Sequence, residues 1–290
     1  VLPIYYKYVS VAGGTAILSN QTLRWATPAT FNDPADMQIE LQVDVDRDRV
    51  IDLALDLIWE RCCGRAPPAA NAMGRLLDQK GAQFRRTGQG ALKAAMRPGV
   101  EAFLAKLPEH VSSFSTGLFS DLGRTKLICF SERTDSVLMW SHYSESHCGI
   151  VLGFSNVDSC DSVYKLAKRV DYRPHPPRFA DEEELAAIVA GNAGIPHDVV
   201  DRMIFTKSDQ WSYEREWRIS SGDGREPGSP VEYAGFFNSE LRSVCFGVKT
   251  LPSTKALLIP LIRERFPDAE LLQAHRKSNS YSIEIARLNR

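Results

Sequence analysis

Hydrophobic and polar positions set out a mixed pattern along the chain. Ile4-Tyr5-Tyr6-Lys7-Tyr8 is β-branched and aromatic and predicts a strand. A short helix over 15–20 and a second strand over 23–26 follow. Apolar spacing then turns helical, with Val50, Leu53, Leu57 and Ile58 predicting a helix over 46–61. Between 61 and 108 the helical periodicity is broken, and a loop is expected near Arg85 to Gly90. From Leu127 the pattern returns to short buried strands, over 127–131 and 149–154, with an amphipathic helix over 136–143 between them. Asp181 and Glu184 have capping-box spacing, and Pro196 fits the first turn of the next helix. Strands are expected over 217–220, 244–248, 270–274 and 281–287, and a helix over 253–265. With no internal repeat, the class is α+β: mixed short-strand sheets with helices packed on them.

Composition adds limits. The 290 residues are 43% hydrophobic and 24% charged, which excludes a disordered chain, a collagen and a coiled coil. No apolar run approaches the ~18 residues a membrane span needs, so no membrane association is expected. The chain starts at Val1, as a trimmed N-terminus would, and no secretory leader pattern opens it. Six sparse cysteines read as reduced core thiols of a cytoplasmic protein. The net charge of −1 hides an asymmetry: residues 61–108 hold nine Lys/Arg against two acids. That reads as a basic helical insert, over 47–125, within a single domain of 1–290. Its surface is either ordinary solvated helix or a contact for phosphate-bearing partners such as RNA or DNA, with Arg85 and Arg86 at its centre.

Four segments can carry chemistry. Phe31-Asn32-Asp33-Pro34-Ala35-Asp36 is a turn whose Asn32, Asp33 and Asp36 either bond the backbone or line a pocket. Cys129-Phe130-Ser131 ends a buried strand where Ser131 can face a cleft. Met139-Trp140-Ser141-His142-Tyr143 puts aromatic, hydroxyl and imidazole groups on one short helix, as a core anchor or as a base-stacking platform. Trp211 to Ile219 carries Glu214 and Glu216, two carboxylates at i and i+2 that share a side of an extended chain. Like charges so placed need either Arg215 and Arg218 as neutralisers or a function. His142 and His147, at i and i+5, do not match the i, i+4 spacing of helical ligands, and no metal site is expected.

Taken together, several motifs resemble one family. They are Tyr6-Lys7-Tyr8, Leu23-Arg24-Trp25-Ala26-Thr27-Pro28, Phe31-Asn32-Asp33-Pro34, Cys129-Phe130-Ser131, Met139-Trp140-Ser141-His142-Tyr143 with His147 and Gly149, Lys207, Trp211, Tyr213-Glu214-Arg215-Glu216-Trp217-Arg218, Phe246-Gly247 and Tyr281. The family is domain of unknown function 2971, and the likeness runs almost end to end apart from the basic insert. A weaker resemblance, in the order of parts, is to ADP-ribosyltransferases, and most of all to the DarT-like enzymes that modify nucleic acid.

That second resemblance implies an ADP-ribosyltransferase-like core that consumes NAD, in a bacterial toxin or antiphage setting with an antitoxin or regulatory partner. Glu216 would stabilise the oxocarbenium-like transition state and Glu214 would orient or deprotonate the acceptor. The NAD site would draw on Lys7, Tyr8, Arg24, Asn32, Asp33, Ser131, Trp140, His142 and Tyr143, with Lys7 and Arg24 replacing the family's first-strand Arg or His at the phosphates. Two other classes fit the same residues. One is a non-catalytic nucleotide- or nucleic-acid-binding module. The other is a metal-dependent nuclease using Asp33, Asp36 and His142.

Overall fold

The computed structural model describes residues 3–288 and leaves Val1, Leu2, Asn289 and Arg290 outside. In chain order the elements are β1 (Ile4–Val9), α1 (Val11–Asn20), β2 (Thr22–Ala26), α2 (Arg47–Cys62), α3 (Ala72–Arg85), α4 (Gln89–Leu122), β3 (Leu127–Ser131), α5 (Val137–Tyr143), β4 (Ile150–Ser155), β5 (Lys168–Arg169) and β6 (Asp171–Arg173). They continue with α6 (Glu182–Val189), α7 (Val199–Phe205), β7 (Thr206–Ser208), β8 (Glu216–Ser220), β9 (Val231–Gly235), β10 (Leu241–Phe246), α8 (Pro252–Arg265), β11 (Glu270–Arg276) and β12 (Ile283–Arg287). The α+β class expected from the sequence is what the chain adopts. Among the described residues two compact units are present, one of residues 3–36, 121–174 and 207–288, the other of 37–120 and 175–206.

The first unit is built on a mixed sheet in the order β12-β11-β10-β4-β1-β3-β2-β9, with β8 also along β3 and β5 along β8. Every pairing in it is antiparallel except β10 with β11, which α8 connects. A parallel pair needs such a crossover because its strands start at the same end. One apolar face holds Leu18 of α1, Leu258 and Ile262 of α8 and the strand residues Leu23, Trp25, Phe130, Leu152, Phe154, Val244 and Phe246. The other holds Tyr8, Val151, Cys245 and Ala274 under Met139 and Trp140 of α5.

The sheet is not closed at its centre. β3 pairs with β8 through all five residues. Along its other edge it meets β1 only at Tyr6–Ser131 and β2 only at Ala26–Leu127. The middle of that edge, around Cys129, is open. This split positions the site described below.

In the second unit, α2 starts on its Asp46 cap and buries Val50, Ile51, Ala54, Leu55 and Ile58. α3 approaches closely because Gly81 lies where a Cβ would come within 3.0 Å of the Cys62 Cα. Buried Arg61 ties the unit together, bonding Asp78, Asn192 and the carbonyls of Pro67, Ala190 and Gly191. The Asp181–Glu184 capping box forms as the spacing predicts.

Several expectations shift by a few residues. The first helix begins at Val11, not at 15, because Ser10 caps it through the Gly13 N–H. Pro196 lies ahead of α7, whose helical hydrogen bonding starts at Val199. The short strands β5, β6, β7 and β9 carry too few alternations to stand out in sequence. The cysteines are all free, but only Cys62 and Cys245 are fully buried, and the other four are partly exposed. Among the described residues, no helix is long and apolar enough to cross a membrane.

Candidate functional site

The split in the sheet opens into a cavity of about 510 Å³ in the first unit. β1, β2 and β3 supply Tyr6, Lys7, Tyr8, Arg24, Cys129 and Ser131 to its wall. The turn after β2 supplies Phe31, Asn32 and Asp36, and the segment 207–216 supplies Lys207, Glu214 and Glu216.

One side of this wall is a buried charge network. Glu214 ends a 3₁₀ turn (Asp209–Glu214), Arg215 takes the left-handed conformation at φ +48°, and Glu216 opens β8. The chain between the two carboxylates is therefore a tight reversal and not the extended run the i, i+2 spacing suggests. Both still converge, because Lys207 lies between them: its Nζ is 2.6 Å from Glu214 Oε2 and 3.1 Å from Glu216 Oε2. Arg218, two residues beyond Glu216 and on the same strand face, donates to Glu216 Oε1 at 2.8 Å and forks onto Asp36 at 2.9 and 2.6 Å. Lys207 also lies 3.4 Å from Asp36. The Arg218 side chain is 0% exposed and that of Asp36 2%. Three carboxylates thus share two cations out of water.

This arrangement separates the two glutamates electrostatically. Burial opposes ionisation of both. At Glu216 the adjacent Arg218 and Lys207 overcome burial and hold the carboxyl well below the usual carboxylate range. At Glu214 burial prevails and raises its proton affinity, with Glu216 adding repulsion against the pull of Lys207. Tyr143 donates its phenol proton to Glu214 Oε1 and accepts at 2.8 Å from Asn32 Nδ2. Lys207 is pushed the other way. Burial alone would lower it, but Glu216, Glu214 and Asp36 raise it, so it stays protonated.

The cavity also holds two basic side chains outside this network. Lys7 donates at 2.8 Å to the Cys129 carbonyl, which the open sheet edge leaves without a strand partner. Arg24 is exposed at the cavity, across from Tyr233 in the β2–β9 register.

The sequence-predicted residues divide accordingly. Lys7, Tyr8, Arg24, Asn32, Ser131, Tyr143, Glu214 and Glu216 all line the cavity. The Ser131 hydroxyl is committed, donating at 2.6 Å to the Glu214 carbonyl and accepting from the Arg133 N–H, so it positions Glu214 and is not available as a ribose ligand. The Tyr8 hydroxyl is likewise committed to the Arg133 carbonyl. Trp140 is fully buried, donates to the Thr134 carbonyl and packs edge-on to Tyr8, so it anchors the core away from the cavity. His142 is exposed beside Tyr143 and Tyr213, outside the cavity wall. Asp33 accepts from the Ala35 N–H and holds the turn.

Asp33, Asp36 and His142 are not assembled, since Asp36 is locked to Arg218. Among the described residues no cluster of His, Cys, Asp or Glu is arranged to hold a metal ion. The residues that sequence reasoning passed over are Lys207 and Asp36 as partners of the glutamates. Only the i, i+2 phase of Glu216 and Arg218 on a strand was available as a signal.

The site is thus an α+β sheet split around a cavity, with a buried carboxylate–cation network on one wall. Residues 139–219, which bring Tyr143, Lys207, Glu214, Glu216 and Arg218 to it, match the model of a family described as Protein of unknown function (DUF2971). The match covers that stretch and not the nearly end-to-end extent expected from the scattered motifs. No curated protein and no solved structure matches the chain.

Proposed function

We propose that the cavity binds NAD and that the first unit transfers its ADP-ribose group. The observation that carries this reading is the pair of unlike carboxylates facing one cavity, Glu216 fixed as an anion and Glu214 disposed to take a proton. When the bond between nicotinamide and the ribose C1′ breaks, its electron pair leaves with nicotinamide and positive charge develops on the ribose. Glu216, held ionised by Arg218 and Lys207, supports that charge. An acceptor hydroxyl or amine then bonds to C1′ and gives its proton to Glu214. Arg24 suits the diphosphate, with Lys7 as a hydrogen-bond donor, and Phe31, Tyr143 and Tyr233 offer rings for a base.

The basic helices of the second unit support an acceptor that is RNA or DNA. Arg75, Lys80, Arg85, Arg86 and Lys106 are exposed, and no ion pair engages them among the described residues. Arg65, Lys93 and Arg97 are instead paired with Glu60, Asp56 and Asp52. A cytoplasmic toxin or antiphage effector is the setting in which such a reaction would act.

The test is release of nicotinamide from labelled NAD, with RNA, DNA and cell extract as acceptors. The wild type should transfer label to a macromolecule, and Glu214→Gln should lose roughly 10²–10⁴-fold in rate. NAD left intact under all these conditions would overturn the catalytic reading. A second reading is favoured by one observation: Arg218 and Lys207 engage both oxygens of Glu216, as a purely structural network would. On that reading the protein is a nucleotide sensor, and NAD raises its melting temperature without being consumed.

A further inference from the structure

Lys7 and Lys207 face the same cavity in opposite electrostatic surroundings. Strand alternation puts Lys7 on the face of β1 that carries Tyr5 and Val9 into the larger core, a position where an apolar residue is expected. Its nitrogen reaches the split in the sheet and donates to the Cys129 carbonyl at 2.8 Å, with the Phe130 ring 5.7 Å away. Among the described residues no carboxylate lies within ion-pair distance of it. The charged and titratable groups that bear on it are Arg24 from β2, Cys129 from β3 and Glu216 from β8. Burial holds the Cys129 thiol protonated, Glu216 is taken by Arg218 and Lys207, and Arg24 is a like charge. Burial lowers the Lys7 ammonium below the ordinary lysine value, against the pull of Cys129 and Glu216, and Arg24 adds a smaller push the same way as burial. A lysine that is desolvated and set beside another cation is activated as an amine nucleophile.

We propose that Lys7 is a covalent site for carbonyl compounds, condensing with an aldehyde that enters the cavity, and that Arg24 favours aldehydes carrying a phosphate. The free-base nitrogen adds to the carbonyl carbon, and a proton passes from nitrogen to oxygen to give a carbinolamine. Loss of water then forms the imine. The backbone hydrogen bond to Cys129 needs only one N–H, so it persists through the addition to the carbinolamine and is kept afterwards only by the protonated imine. Lys207 cannot follow this course, because three carboxylates keep it protonated.

The test is competitive labelling of the whole protein with pyridoxal 5′-phosphate near neutral pH, followed by borohydride. The hydride adds to the imine carbon and fixes the adduct for peptide mapping. Lys7 should label about tenfold faster than exposed lysines for each unit by which its pKa lies below theirs, and Lys207 should stay unlabelled. Pyridoxal without the phosphate should label Lys7 more slowly. Arg24→Gln, a change at an exposed residue, should slow Lys7 at neutral pH by restoring its proton and removing the phosphate contact. Labelling of Lys7 at or below the surface rate in the wild type would overturn the proposal. Including NAD separates this inference from the functional reading. Protection of Lys7 supports both, whereas undiminished labelling supports the amine and counts against the cavity as an NAD site.

Discussion

Arg218 is the residue on which the network's solvation depends. Among the described residues it alone gives Asp36 a bidentate partner, and it shares Glu216 with Lys207. Removing one member of a buried ion set leaves the others charged and unpaired, which costs about 3–5 kcal/mol. Arg218→Met should therefore lower stability by that amount in urea unfolding, and adding Asp36→Asn should recover part of it.

Glu216 sets a pH dependence of definite sign. Its carboxyl is lower in the folded than in the unfolded chain, so its contribution is complete above the unfolded value of about 4.3 and lost as pH falls below it. The wild-type urea midpoint should fall more steeply between pH 5 and 3 than that of Glu216→Gln. Glu214 has the opposite sign, and its titration is open to kinetics. The Tyr143 hydrogen bond lowers the proton affinity that burial raises. On the proposed reaction, Tyr143→Phe should move the acid limb of the kcat/KM profile to higher pH. An unmoved limb would show that Glu214 is not the group that titrates.

Among the elements, the connection from α5 to β4 is held in a constrained backbone path. Glu145, Ser146 and His147 take three consecutive positive φ values of 50°, 51° and 73°. The turn holds because the His147 N–H bonds the Trp140 carbonyl, and the His147 carbonyl accepts from Lys249. Gly247 permits that approach, since a Cβ there would stand 2.2 Å from the His147 oxygen. Gly247→Ala should destabilise by about 1–3 kcal/mol, as overpacking does, measured by thermal or denaturant unfolding.

None of that turn was visible in the residue pattern, because Glu, Ser and His carry no left-handed signature. What was legible followed local rules. The aromatic run of β1, the cap at Asp181, and the short α5 after Ser136 depend on neighbours within a few residues. The candidate site was half legible for the same reason. Glu214 and Glu216 stood out by proximity in sequence. Asp36 joins them from 182 positions before Arg218, a distance at which local pattern says nothing. Trp140 and His142 were misplaced because a short helix shows only one face to the cavity, and there Tyr143 occupies it.

For the molecule as a whole, the net charge of −1 conceals a cluster of exposed basic side chains on the helices of the second unit, at Arg75, Lys80, Arg85, Arg86 and Lys106. If those helices engage nucleic acid, Arg85→Glu with Arg86→Glu should weaken binding across all sequences. It should also reduce the slope of log affinity against log salt by about two. An unchanged slope would remove these two arginines from any phosphate contact.

The place of β1 in the sheet also bears on how the chain is made. β1 precedes every other strand in the chain, yet it lies in the interior of the sheet order. Its neighbours, the strands holding Ser131 and Val151, are synthesised more than a hundred residues later. At ordinary translation speeds that interval is on the order of ten seconds. Throughout it, Tyr5, Tyr6 and Tyr8 emerge from the ribosome with no sheet to join. Keeping that strand from wrong partners until its own are made is a demand on the nascent chain that refolding of the whole sequence from urea does not share. Yield in cells and yield in the test tube should therefore respond separately to substitutions in that first strand.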